Sequence, residues 1–176
     1  ERLISWCPRC QTALSDLEVI HRDEAGSLWV IGYPIEASDE VITVATTRPE
    51  TMLGDTAVAI NPRDPRADEF VGKTAILPLI ERELPIIADD AVNLPGSGEE
   101  DADDYSTGFL KVTPAHDPID YDIGRRHDLP LVNILNPDGT INENGGSYQG
   151  LTVEDARERV VEDLRDQGLL VETRPY

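Results

Sequence analysis

The run Lys111-Val112-Thr113-Pro114-Ala115-His116-Asp117-Pro118-Ile119-Asp120-Tyr121 constrains the fold most, because it makes a strand end where a helix begins. Gly108 to Thr113 reads as the strand. Asp117 is a good N-cap, Pro118 suits the first helical position, and the helix runs to about His127. Asp120 then falls in the first turn, where the helix dipole and unpaired backbone N–H groups favour an ionised carboxylate. A fixed anion at a helix start can hold an ammonium group. Capping alone is the simpler reading of the same residues.

A second segment, Val41 to Thr56, is a β-branched strand running into Thr46-Thr47-Arg48-Pro49-Glu50-Thr51-Met52-Leu53-Gly54-Asp55-Thr56. Pro49 pushes Arg48 towards an extended conformation and opens a short helical turn. Three threonine hydroxyls and one guanidinium thus collect at a strand end, where polar loops carry function. Plain strand is the alternative for Thr43 to Thr47.

Together the two segments resemble the editing domains of the class I aminoacyl-tRNA synthetases for branched aliphatic amino acids, and are most similar to the valyl form. The likeness runs from Trp6-Cys7-Pro8-Arg9-Cys10 to the C-terminal helix. It implies an α+β fold, a β-barrel-like core with peripheral helices. It divides the chain into a stem segment, residues 1–16, and one editing domain, residues 17–176.

The resemblance also implies roles. Asp120 anchors the α-amino group of a threonyl ester, and Asp117 reads the threonine hydroxyl or only caps. Thr46, Thr47 and Thr51 line the pocket and hydrogen-bond the ester or the attacking water, with Asp120, Thr46 and Thr51 as the catalytic set. Arg48 and Lys111 supply positive charge near the terminal adenosine or phosphate and stabilise an oxyanion. His116 contributes or is structural, and Thr113 supports the others. Valine and threonine are nearly isosteric, and a pocket for valine rejects threonine poorly, a limit for which this enzyme family is itself the standard example. An editing pocket must therefore welcome the hydroxyl. No Ser–His–Asp or Cys–His order stands near these motifs, so water attack on a positioned ester is expected rather than a covalent intermediate.

A length of 176 residues with 39% hydrophobic content suffices for one good core. The chain opens on Glu1 and ends at Tyr176 just after a helix and strand, as expected of a piece excised from a longer protein. No apolar stretch approaches a membrane span, so a cytoplasmic monomer without membrane contact is expected. The net charge of −20 argues against independent nucleic-acid binding. The expected partners are the 3′ end of mischarged tRNA(Val), gripped mainly by the remainder of the parent synthetase, and that synthetase itself.

Cys7 and Cys10 form one Cys-x-x-Cys. Structural zinc wants four ligands, and these supply two; His21 adds a third at most. Editing needs no cofactor. Either the pair is half of a zinc site whose other ligands lie outside this chain, or the thiols carry no metal.

Elsewhere, Leu17 to Ile20, Leu28 to Ile35, Thr56 to Ile60 and Leu131 to Leu135 read as strands. Thr74 to Leu79 and Leu84 to Ala88 read as a hairpin, with Pro78 and Pro85 at edge positions or bulges. Asp64-Pro65 opens a short helix before Gly72, and Asn136-Pro137-Asp138-Gly139 is a turn. Thr152 to Gln167 is a helix capped by Thr152, ended by Gly168, with Val153, Ala156, Val160, Val161 and Leu164 on one face. The acidic, Gly-rich loop 93–106 has no apolar periodicity and lacks the spacing of a calcium loop. Two rival readings remain: an isoleucyl or leucyl editing domain, and a non-catalytic, zinc-associated interaction module.

Overall fold

β-Branched alternation builds the centre of the molecule. The computed structural model describes residues 3–20, 25–95 and 106–176. In chain order, β1 (Ser5–Cys7) and β2 (Thr12–Leu14) form a small antiparallel hairpin carrying the Cys-x-x-Cys at its turn. β3 (Ser27–Pro34) and β4 (Val41–Thr46) follow, then a 3₁₀ turn, Pro49–Gly54, and β5 (Ala57–Ile60). α1 (Ala67–Phe70), β6 (Thr74–Ile76), β7 (Glu83–Ala88) and β8 (Phe109–Val112) lead to α2 (Pro118–Arg126). α3 (Val153–Asp166) and β9 (Leu170–Pro175) complete the chain.

β3 is central in a three-stranded antiparallel sheet, ordered β4-β3-β9. A four-stranded sheet runs β6-β7-β5-β8, with β5 and β7 parallel. The α+β expectation holds; of the barrel-like core expected, the described residues show two larger open sheets and no closed barrel. Among the described residues β4 and β8 come alongside each other without sharing a ladder, and one bridge, Ile35 to Ala75, joins the two larger sheets.

The main core gathers Ile31, Tyr33, Val44, Val58, Ile60, Leu84 and Ile86 from both sheets, with Leu53 from the 3₁₀ turn and Ala156, Val160 and Leu164 from α3. Those three residues are spaced by four and are the fully buried part of the stripe expected on that helix. Thr152 Oγ1 accepts from the Asp155 N–H at 3.1 Å, and Gly168 adopts φ +71° beyond the last turn. A smaller cluster of Ala57, Ala59, Val92, Val112 and Ile123 seats α2 on the other side of β5 and β8.

Several local expectations are corrected. Leu17 to Ile20 is no strand: Asp16–Glu18 is a 3₁₀ turn, its start fixed by Ser15 N donating to Glu18 Oε2 at 2.8 Å, and Leu17 is 97% exposed. Leu131 to Leu135 forms only an isolated bridge from Leu135 to Ile141. There, Asn142 Nδ2 donates to the Asn133 carbonyl at 2.9 Å, so side chains replace a ladder. Pro85 lies in β7, which is interior between β6 and β5. It is tolerated because pairing with β5 starts one residue later, at Ile86. The short helix starts at Ala67, with Asp64 Oδ1 accepting from Arg66 N at 2.9 Å. Residues 96–105 of the acidic loop, and His21, fall outside the described residues.

Candidate functional site

The open seam between β4 and β8 holds a cavity of about 410 Å³. Its wall includes Thr46, Thr47, Arg48, Thr51, Lys111, Thr113, His116, Asp117 and Asp120, so the two sequence motifs meet there. Ala45 and Leu28 line it from the three-stranded sheet, and Phe109, Leu110 and Ile119 supply apolar surface.

The threonine wall is built by the turn that ends β4. Thr46 Oγ1 accepts from Arg48 N at 3.0 Å, and Thr51 Oγ1 donates to the Arg48 carbonyl at 2.8 Å. Each hydroxyl thus spends one bond on fixing the turn. Thr46 keeps its proton to donate, and Thr51 keeps acceptor capacity. Arg48 Nη1 donates to the His116 carbonyl at 3.2 Å, which ties the turn to the second motif.

The helix side is fixed by capping. Asp117 Oδ1 accepts from Ile119 N at 2.8 Å and Asp120 N at 3.1 Å, so one oxygen of this carboxylate is the cap foreseen from the sequence. The far end of α2 is clamped by Asp89, which accepts from Arg126 Nη2 at 2.8 Å and pairs with His127 Nε2 at 2.9 Å. Asp120 is therefore held on a helix secured at both ends.

Asp120 is 6% exposed, and its Oδ2 accepts from Thr113 N at 2.9 Å. Burial pushes its carboxyl up to about 6, against the pull of Lys111. The helix start thus does not by itself keep the group strongly acidic, as position alone had implied. Near pH 7 the carboxylate form still prevails.

Beneath Asp120 lies a buried cluster that the motif spacing did not reveal. Lys111 Nζ pairs with Asp55 Oδ1 at 3.1 Å and donates to Thr113 Oγ1, which itself donates to Asp55 Oδ1 at 2.6 Å. Tyr33 Oη donates to Asp55 Oδ2 at 2.7 Å. Asp55 is fully buried, and burial raises its pKa despite the nearby Lys111 ammonium. Arg82 Nη1 holds the backbone carbonyls of Leu53 and Asp55 at 3.2 and 2.8 Å. Lys111 is 6% exposed and is committed to this cluster, so its charge acts under the pocket floor rather than at the mouth.

His116 is structural in its geometry: Nε2 accepts from Ile134 N at 3.0 Å. Burial, with Arg48 and Lys111 nearby, lowers its pKa to about 4, so the ring is neutral at pH 7.

Cys7 and Cys10 sit on the β1–β2 turn, where Cys10 N donates to Cys7 Sγ at 3.4 Å. Among the described residues no group of three or more His, Cys, Asp or Glu side chains is placed to hold a metal ion. No helix of the described residues is long and apolar enough to cross a membrane.

No family model matches the sequence. The chain is 52% identical over 174 residues to valine–tRNA ligase of Thermotoga maritima, covering 99% of this chain. It is 51% identical over 176 residues to that of Dehalococcoides mccartyi and 49% over 175 residues to that of Clostridium acetobutylicum. The chain belongs to the valyl-tRNA synthetase family. It spans about 19% of the length of these valyl-tRNA synthetases, and so corresponds to one segment of them. A solved ternary complex of Agrobacterium radiobacter K84 agnB2 LeuRS with tRNA and LeuAMS shares the fold, with a TM-score of 0.63 over 87% of this chain and 20% of that one, at 22% identity.

Proposed function

We propose that this segment is the hydrolytic editing unit of a valyl-tRNA synthetase, and that it clears threonine esterified to the 3′ end of tRNA(Val). The observation that carries the reading is the placement of Asp120 in one cavity with Thr46, Thr47 and Thr51. A carboxylate 6% exposed, held by a backbone N–H, is a strong partner for a primary ammonium group. The threonyl α-ammonium therefore docks on Asp120, and the ester carbonyl turns towards the threonine wall.

Water attacks the ester carbon, the bond to the terminal ribose oxygen breaks, and that oxygen takes a proton. Free threonine and uncharged tRNA leave. Thr46 donates to the ester or the incoming water, and Thr51 accepts from it. Arg48 faces the phosphate side of the terminal nucleotide, and the charge of Lys111 favours a developing oxyanion through the pocket floor. The ester is already activated, so positioning supplies most of the rate. Asp117 retains its second carboxylate oxygen for the substrate's β-hydroxyl, which a valyl side chain would leave unpaired at a cost of roughly 1–3 kcal/mol.

With a net charge of −20, the segment binds whole tRNA weakly and relies on the rest of the synthetase to deliver the 3′ end. Editing draws on no cofactor; zinc at Cys7 and Cys10 would need ligands from outside this chain and would serve the stem.

Calorimetric titration with non-hydrolysable threonyl-, valyl- and isoleucyl-adenosine analogues tests the proposal. Binding of the threonyl analogue alone is expected. Equal binding of the valyl or isoleucyl compound would assign the pocket to a sister specificity, and no binding of any would remove the editing role.

A further inference from the structure

Glu50 is a charged side chain that the chemistry above leaves without a task. It is 1% exposed in the 3₁₀ turn after Arg48, yet it faces two guanidinium groups. Arg157, on α3, donates Nε to Glu50 Oε2 at 2.9 Å and Nη2 to Oε1 at 3.0 Å, a two-pronged pair. Arg48 Nε lies 3.6 Å from the same Oε1. Arg157 does not line the cavity, and it stands 107 residues from Glu50 in sequence.

A buried carboxylate needs its charge balanced and its oxygens occupied. Arg157 does both with fixed planar geometry, so Glu50 cannot swing to follow Arg48. Arg48 has the freer side chain, about half exposed, with one further bond to the His116 carbonyl. The direction of Arg48 is thus set from behind by a carboxylate that α3 itself holds still.

We infer that Arg157 and Glu50 are positioning residues that aim the Arg48 guanidinium at the phosphate of the terminal nucleotide. The inference rests on the editing role proposed above and extends it to a helix outside the pocket. It also gives α3 a second task beyond burying Ala156, Val160 and Leu164.

The test uses the 176-residue chain and two non-hydrolysable threonylamido-adenosine analogues, identical except for a 5′-phosphate. Wild-type protein is expected to bind the phosphorylated analogue about tenfold more tightly. Arg48→Met should abolish that preference, so that the two analogues bind with equal affinity. Arg157→Met should reduce the preference to below threefold, and the Arg48→Met/Arg157→Met pair should show no further loss. Arg157→Lys, which keeps charge but loses the fork, should fall between wild type and Arg157→Met. Glu50→Gln provides a second variant at the hub, with the same expected loss.

A purely structural Arg157 would weaken both analogues equally and add its effect to that of Arg48→Met; that pattern overturns the inference. A full preference retained by folded Arg157→Met and Glu50→Gln overturns it as well, as does equal wild-type affinity for the two analogues. Failure of wild type to bind either analogue would instead strike the editing role itself, which keeps the two failures apart.

Discussion

The Thr113 backbone N–H donates to Asp120 Oδ2 at 2.9 Å, so the last residue of the strand motif fixes the carboxylate of the helix motif. Because Thr113 also bonds Asp55, Asp120 is linked through one residue to the buried charges below it.

Asp120→Asn keeps an oxygen for that N–H but loses the charge. Threonyl-ester hydrolysis should fall on the order of 100-fold in kcat/KM, as expected for losing a charge-assisted bond to an ammonium group. Steady-state deacylation with the threonyl ester measures it. Wild-type-like turnover would remove Asp120 from the mechanism.

The same substitution should raise stability at neutral pH. The folded pKa of about 6 lies above the ordinary 3.8, so protonation favours the folded state. That contribution is complete below about 3.8 and is lost as pH rises through about 6. Asp120→Asn should therefore exceed wild type on the order of 2 kcal/mol at pH 8, with the gap closing towards pH 4. Urea unfolding across that range gives the curve, and a gap independent of pH would refute it.

His116 has the opposite sign. Its folded pKa of about 4 is below the ordinary 6.5, so its contribution is present above 6.5 and fades as pH falls through about 4. Between pH 7 and 4, wild type should lose on the order of 2 kcal/mol relative to His116→Gln, whose amide oxygen still accepts from Ile134 N. Thermal unfolding of the two proteins decides it; parallel melting curves would mean that the ring ionises freely.

Lys111→Met should strand the buried Asp55 carboxylate and cost about 3–5 kcal/mol. Adding Asp55→Asn should recover part of that loss, since the two side chains share one charge pair. Chemical denaturation of the four proteins closes the cycle. Strict additivity would show that the pair is not coupled.

Gly54→Ala should destabilise by about 1–3 kcal/mol, because a Cβ there would lie 2.7 Å from the Val132 carbonyl and 3.2 Å from Ile134 Cγ2. Unfolding midpoints measure this, and a neutral result would mean that the Val132 segment moves aside.

What the sequence made legible was local. The Asp117 and Thr152 caps, the Asn136–Gly139 turn and the α3 stripe are each decided within a few residues, and each appears where its chemistry placed it. The two motifs also came together as one cavity wall. Leu17 to Ile20 and Leu131 to Leu135 misled because a short apolar run becomes a strand only if a partner reaches it, and partners are remote. The Tyr33–Asp55–Lys111 cluster was hidden for the same reason: its bonds span 22 and 56 residues. Arg157, which reaches Glu50 from across 107 residues, left no local mark at all.

The unjoined seam between β4 and β8 has one more consequence. Each is an outermost strand of its sheet among the described residues, and outermost strands carry main-chain donors and acceptors that no neighbour has claimed. A guest entering the cleft therefore meets peptide groups as well as side chains. Those groups are the same whatever residue occupies the position, so mutation can retune which guest is preferred far more readily than it can abolish the cleft's ability to grip an amide or an ester.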